Sequence, residues 1–200
     1  PLAGGGSPVF EFPISDAEAS REYASELLSQ LDPALLISIE RCGLTADRRY
    51  LNMRGLDISE HTAKVDYLFL GHRRSVGIGD GGNEIGMGNL ALYIPEVPSL
   101  PSNPATTKCT QLILSSTSNW GGYGLVAGLS LLVGRNLLPA QSQEAQMISR
   151  MVELGAVDGV TGASQCTVDS MSLEEHGRAL SKLHRYLEGQ GIAEPPLALP

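Results

Sequence analysis

Basic residues, aromatic residues, cysteines and long apolar runs are all scarce in this chain. Lysine and arginine together number 14 against 22 aspartates and glutamates, for a formal net charge of −8. A nucleic-acid surface needs a basic stripe to replace counterions, so this balance argues against one. The three cysteines, Cys42, Cys109 and Cys166, are odd in number and lack C-x-x-C spacing. They read as reduced thiols of a cytosol-like compartment, not as a disulfide frame or zinc site. No apolar run reaches the ~18 residues of a membrane span. Leu125 to Val133 is too short and reads as a buried helix. No signal-peptide pattern of basic, apolar and small-residue regions is visible. The expectation is a cytoplasmic protein, or one of the mitochondrial matrix if eukaryotic, with no nucleic-acid or membrane partner.

What is present is an ordinary globular composition, 42% hydrophobic and 18% charged over 200 residues. A domain of that length buries roughly 70% of its unfolded surface and needs no staples. A single α/β domain over residues 1–194 is expected, with Pro195 to Pro200 as a tail. Pro1 in place of methionine points to an N-terminal segment before it. Nothing here decides against a homo-oligomer.

The most informative stretch is Ser75 to Gly88, Ser-Val-Gly-Ile-Gly-Asp-Gly-Gly-Asn-Glu-Ile-Gly-Met-Gly. Glycine is used where the backbone needs positive φ or must come close to something. Asp80, Asn83 and Glu84 add two carboxylates and an amide within five residues, which tight geometry alone does not require. Gly77, Gly79 and Gly82 also fit the dinucleotide pattern G-x-G-x-x-G. Asp80, however, would put a negative charge where a pyrophosphate must sit at a helix N-terminus. The preceding strand is very short, and no acidic residue follows about twenty residues on at the end of a second strand, as the ribose contact would require. An acidic glycine turn suits a hard cation better, magnesium or manganese, held by oxygen ligands from Asp80 and Glu84.

Along the chain, Val9 to Phe12 reads as a short strand. Asp16 caps a helix to about Gln30, with Tyr23, Leu27, Leu28 and Leu31 on one face. Ala34 to Ile39 reads as a buried strand and Thr62 to Gly71 as a helix. Val76 to Ile78 is a strand leading into the glycine turn, and a helix is expected from about Glu84 to Tyr93. Pro95 to Pro104 is a loop and Gln111 to Ser115 a strand. Helices follow at Tyr123 to Leu132, Ser142 to Leu154 and Leu173 to Glu188, with a further strand at Ala156 to Val160. Strands alternating with helices give a three-layer αβα fold with a largely parallel sheet. Ligands in such folds bind beyond the carboxyl ends of strands.

Four polar clusters fall at those expected ends: Glu40–Arg41, Asp80 to Glu84, Ser118–Asn119 with Gly121–Gly122, and Asp158–Gly159. Each has a plainer reading. Glu40 and Arg41 could be a surface ion pair, although neighbours on a strand point to opposite faces. Asn52, Arg54 and Asp57 could form a turn with a capping aspartate, or Asn52 and Arg54 could touch a substrate. Asn119 could cap the helix that follows it, and Trp120 could simply pack. Asp158 before Gly159 is most simply a turn, with a third metal carboxylate as the alternative. His61, His72, His176 and His184 show no metal spacing and read as surface residues. Ser115 to Ser118 lacks the Gly-x-Ser-x-Gly elbow of a serine hydrolase.

Taken in order, these pieces resemble the D-glutamate cyclase-like family. The matching runs are Ile37 to Gly43, Ala46–Asp47, Tyr50 to Gly55, Gly77 to Gly88 and Ser118 to Tyr123, with weaker echoes at Asp158 to Val160 and Thr167 to Asp169. The chain departs from the family pattern where Arg48 and Ser170 stand in place of glycine, and it lacks an N-terminal Glu-Thr-Asp-Gly-Pro motif. The resemblance implies a hydro-lyase that turns D-glutamate into 5-oxo-D-proline and water, the α-amine attacking the γ-carboxyl group. That chemistry calls for a Lewis acid on a poor electrophile, a proton-transfer group and a fork for the α-carboxylate. We assign Asp80 and Glu84 to the metal, Glu40 with Asp80, Asn83 and Glu84 to catalysis, and Arg41, Asn52, Arg54 and Asn119 to the substrate. The alternatives are a metal-dependent phosphatase or other hydrolase of a small anionic substrate, and a non-catalytic ligand-binding module.

Overall fold

A computed structural model describes residues 8–192. The expected tail at Pro195 to Pro200 lies outside the described residues. The chain forms two compact units that divide between Ile113 and Leu114.

The first unit opens with α1 (Ala17–Leu31). The Asp16 side chain starts it by accepting from the backbone N–H groups of Glu18 and Ala19, a cap worth ~1 kcal/mol. The strand expected at Val9 to Phe12 is absent. That segment has no regular structure and lies against α1 instead: the Phe12 ring meets Tyr23 edge-on, and Tyr23 Oη donates to the Glu11 carbonyl at 2.8 Å. β1 (Leu36–Ile39) pairs in parallel with β2 (Ser75–Gly79), Ile37 opposite Val76 and Ile39 opposite Ile78. β3 (Gln111–Leu114) joins the other side of β2. The central strand is buried throughout, whereas Ile37 and Ile39 on β1 are about half exposed. The expectation of a buried β1 fails because an edge strand has a neighbour on one side only.

α2 (Asp66–Gly71) is shorter than expected: Thr62 to Val65 are not helical and link it to a separate 3-10 turn at Ser59–His61. Phe69 from α2 packs with Ile85 and Cys109, joined by Leu36, Val65 and Leu68. The helix expected over Glu84 to Tyr93 does not form. Gly82 and Gly86 stand at φ +91° and +103°, outside the helical region, and two short 3-10 turns at Gly88–Leu90 and Ile94–Glu96 replace it.

The second unit holds α3 (Ser118–Val133), α4 (Gln141–Glu153) and α5 (Leu173–Gly189). Between α4 and α5 lies a two-residue hairpin, β4 (Thr167–Val168) with β5 (Met171–Ser172). The strand expected at Ala156 to Val160 is a turn instead, so Asp158 does not follow a strand. α5 begins in a reciprocal cap. Ser172 Oγ accepts from the Glu175 N–H, and the Glu175 carboxylate accepts from the Ser172 N–H at 2.9 Å. Ala127, Leu138, Leu180 and Leu187 form the core of this unit. The helix–strand alternation makes the chain an α/β protein, as the periodicity predicts.

Candidate functional site

The site is built on the end of β2. Gly77 is needed there because a Cβ would stand 2.6 Å from the Ile85 carbonyl oxygen. This close approach folds the turn back along the strand that made it. The returning segment pairs antiparallel with the chain leaving β1: Gly43 N–H donates to the Asn83 carbonyl and Ile85 N–H to the Arg41 carbonyl, both at 2.8 Å. Glu40 adopts φ +54° just past β1, so strand alternation no longer sets its direction. Together these constraints bring Glu40, Asp80 and Glu84 into one cluster, with one carboxylate oxygen from each lying within 4.8 Å of the others.

Glu84 is the best-defined member. It is 2% exposed, and its Oε1 accepts from the backbone N–H groups of Asp80 at 3.2 Å and Gly81 at 2.7 Å. Its Oε2 is buried and has no hydrogen-bond partner among the described residues. Leaving a buried acceptor unpaired costs ~1–3 kcal/mol, and more for a charged group. Asn83 donates to the Leu51 carbonyl at 3.1 Å, while its own Oδ1 is buried and unpaired. Burial pushes the neighbouring Cys42 thiol up to about 11, so it stays protonated near neutrality and donates to the Leu51 carbonyl. That excludes Cys42 as an activated nucleophile.

The arginines and Asn52 are placed differently from one another. Arg41 is half-buried and donates through Nη2 to the Ala63 carbonyl at 2.9 Å. Asn52 Oδ1 accepts from the backbone N–H groups of Arg54 and Leu56, closing the turn that carries the exposed Arg54. Gly55, at φ +73°, completes that turn. Sequence reasoning missed Asp66, which is fully buried and accepts from Leu44 N–H at 2.9 Å, Tyr50 Oη at 2.8 Å and Thr107 Oγ1 at 2.5 Å. It ties three segments of the first unit together. Its signal was available, because Asp66 and the inward Phe69 are three residues apart on one helix face.

Asn119 and Asp158 belong to the second unit, where both line a cavity of about 220 Å³. Asn119 does not cap α3, whose N-cap is Thr117. Asp158 is buried and accepts four hydrogen bonds, from the N–H groups of Val160, Thr161 and Ser170 and from Thr167 Oγ1. Those bonds, led by the one from Thr161, hold its carboxyl well below the usual carboxylate range. Arg48 and Ser170, the two departures from the glycine pattern, both adopt φ +63°.

His176 is not a surface residue: it is 2% exposed. Trp120 Nε1–H donates to its Nδ1 at 2.9 Å, and its Nε2 faces Tyr123 Oη at 3.1 Å. Tyr123 Oη in turn donates to Glu144. Burial lowers the His176 pKa, so the imidazole is neutral with its proton on Nε2. His176 stands four, seven and eleven residues before Leu180, Leu183 and Leu187, on the same helix stripe, a signal that the surface reading overlooked.

An α/β protein with an acidic cluster at a glycine turn beyond a central strand is thus the class defined by fold and geometry. The model of the "D-glutamate cyclase-like, C-terminal" family matches residues 5–184, and the chain belongs to that family. It is also 26% identical over 208 residues to human "D-glutamate cyclase, mitochondrial", an alignment taking in 88% of this chain and 34% of the relative. The chain therefore corresponds to about a third of that relative's length. No helix among the described residues is long and apolar enough to cross a membrane.

Proposed function

We propose that this chain serves a D-glutamate cyclase-type hydro-lyase, with Glu40, Asp80 and Glu84 holding a divalent cation, magnesium or manganese. The observation that carries the reading is the buried, unpartnered Glu84 Oε2 beside two further carboxylates, in a chain belonging to this family. Carboxylates 4.8 Å apart repel by about 3 kcal/mol per pair at an effective dielectric of 20, and a cation offsets that. An all-oxygen donor set is also the one that magnesium and manganese prefer. Bound there, such an ion would act as a Lewis acid on the γ-carboxylate and mask its charge.

The reaction joins the α-amine nitrogen to the carbon of the γ-carboxyl group and breaks one carbon–oxygen bond of that group. The departing oxygen leaves as water, carrying two protons that come from the ammonium group. Glu40, at the cluster's exposed edge, is assigned the first proton. Arg54, on the turn organised by Asn52, is assigned the α-carboxylate. Arg41, which already spends Nη2 on the Ala63 carbonyl, is the weaker candidate. The four hydrogen bonds accepted by Asp158 favour a turn-organising role, so the proposed cation site rests on the other three carboxylates. The cytoplasmic or matrix setting expected from cysteine usage belongs to the same proposal.

The test is to incubate the full-length natural protein with D- or L-glutamate, with and without EDTA, and to quantify 5-oxoproline by chiral chromatography. Formation from D-glutamate that EDTA abolishes is the expected result. Product release from neither enantiomer, with phosphate released from a generic ester, would move the site to the phosphatase reading.

A further inference from the structure

A cavity of about 610 Å³ in the first unit lies between α1, α2 and the loop after β1. None of Glu40, Asp80 or Glu84 lines it. Its wall is apolar, from Leu28 on α1, Leu44 on the loop and Tyr67 and Leu70 on α2. Two cations stand at this wall, Arg21 and Arg48. The Arg21 guanidinium lies 5.1 Å from the centre of the Tyr67 ring, a cation–π contact that fixes its position without neutralising it.

Arg48 carries the stronger indication. Neither it nor Arg21 forms an ion pair with any described residue, although the chain is acidic overall. The adjacent Asp47 carboxylate is taken by Arg49, Thr45 and Asn103. Arg48 also stands at φ +63°, a left-handed backbone conformation in which any Cβ crowds the following carbonyl oxygen. Among the described residues its side chain makes no hydrogen bond or ion pair, yet it occupies a position that would suit glycine better. Left-handed backbone at a non-glycine residue is the kind of strain that collects at ligand clamps.

We infer that this cavity binds a small organic anion: one carboxylate or comparable anionic group held between Arg21 and Arg48, on an apolar body packed against Leu28, Leu44, Tyr67 and Leu70. The volume lies within the 300–1,000 Å³ of ordinary ligand sites, and an apolar wall with a few placed cations is how such sites set orientation. A bare inorganic anion would leave the apolar wall unused, and a neutral hydrophobe would leave both arginines unanswered.

Calorimetry with 2-naphthoate, its neutral counterpart 2-naphthol and inorganic phosphate tests this. The wild type is expected to bind naphthoate at least tenfold more tightly than either of the other two. Arg48→Gly and Arg21→Gln should each weaken naphthoate at least tenfold. Arg48→Gly should at the same time leave the melting temperature unchanged or raise it, because glycine relieves the strained φ. Leu70→Trp, at a position 62% exposed and so tolerant of change, should block the cavity and abolish binding. The inference is overturned if naphthoate does not bind, if naphthol or phosphate binds as well as naphthoate does, or if the arginine variants bind it like the wild type.

Discussion

Two polar clusters, one in each unit, teach opposite lessons. In the second unit, Trp120, His176, Tyr123 and Glu144 form a chain in which each donor meets an acceptor, and both imidazole nitrogens are used. In the first, Glu84 spends one carboxylate oxygen on two backbone N–H groups and leaves the other buried with nothing to accept from. Buried polar groups are almost always satisfied, so an exception calls for a cause. The satisfied network reads as architecture and the unsatisfied carboxylate as a binding position. Titratable residues alone would not have separated them, since both clusters contain buried glutamates and close neighbours.

The predictions ask whether that division holds. The largest effect is expected at Asp66, which resembles the satisfied cluster but lies in the unit of the unsatisfied one. Asp66→Ala removes three hydrogen bonds from a buried carboxylate and should cost about 4 kcal/mol in urea unfolding. A loss under 1 kcal/mol would mean that Asp66 does not anchor the first unit. Next comes Glu84→Gln, which keeps an acceptor for the two backbone donors and replaces the unpaired oxygen with an amide. Formation of 5-oxoproline should fall about 100-fold while stability changes little, a loss of transition-state stabilisation of about 2.7 kcal/mol.

A smaller effect is expected from pH. His176 has a folded pKa below its unfolded value, because burial opposes its charge. The unfolded chain therefore binds the proton first, and stability is full above the unfolded value of about 6.5 and declines as pH falls below it. His176→Gln should flatten that acid limb in melting curves recorded from pH 7.5 to 5. An unaltered limb would place the responsible titration elsewhere. The smallest effect is Arg54→Lys, which keeps the charge but loses the fork and should raise KM about tenfold with kcat nearly unchanged.

What was legible in the sequence follows from how local each signal is. The cap of Asp16 and the periodicity of α4 and α5 depend on neighbours in the chain, and those elements form where expected. The glycine turn was legible as a site because its residue types make little sense otherwise, and Glu40 does meet Asp80 and Glu84 there. The helix expected after it does not form, because Gly82 and Gly86 take positive φ in a turn whose return path is set by its close approach to Gly77. Edge exposure of β1 depends on strand order, which no local pattern carries. His176 was misplaced by giving its residue type more weight than its position on the Leu180–Leu187 stripe. Asp66 shares a helix face with Phe69, which marks it as inward, but the partners that make it an anchor lie far away in the chain, up to 41 residues off.

Calorimetric titration of manganese into the wild type and the Glu84→Gln variant, both folded by circular dichroism, tests the central claim most directly. One site per chain in the wild type, weakened at least 100-fold in the variant, is the predicted result. Equal binding by the two proteins, or none by the wild type, would contradict it.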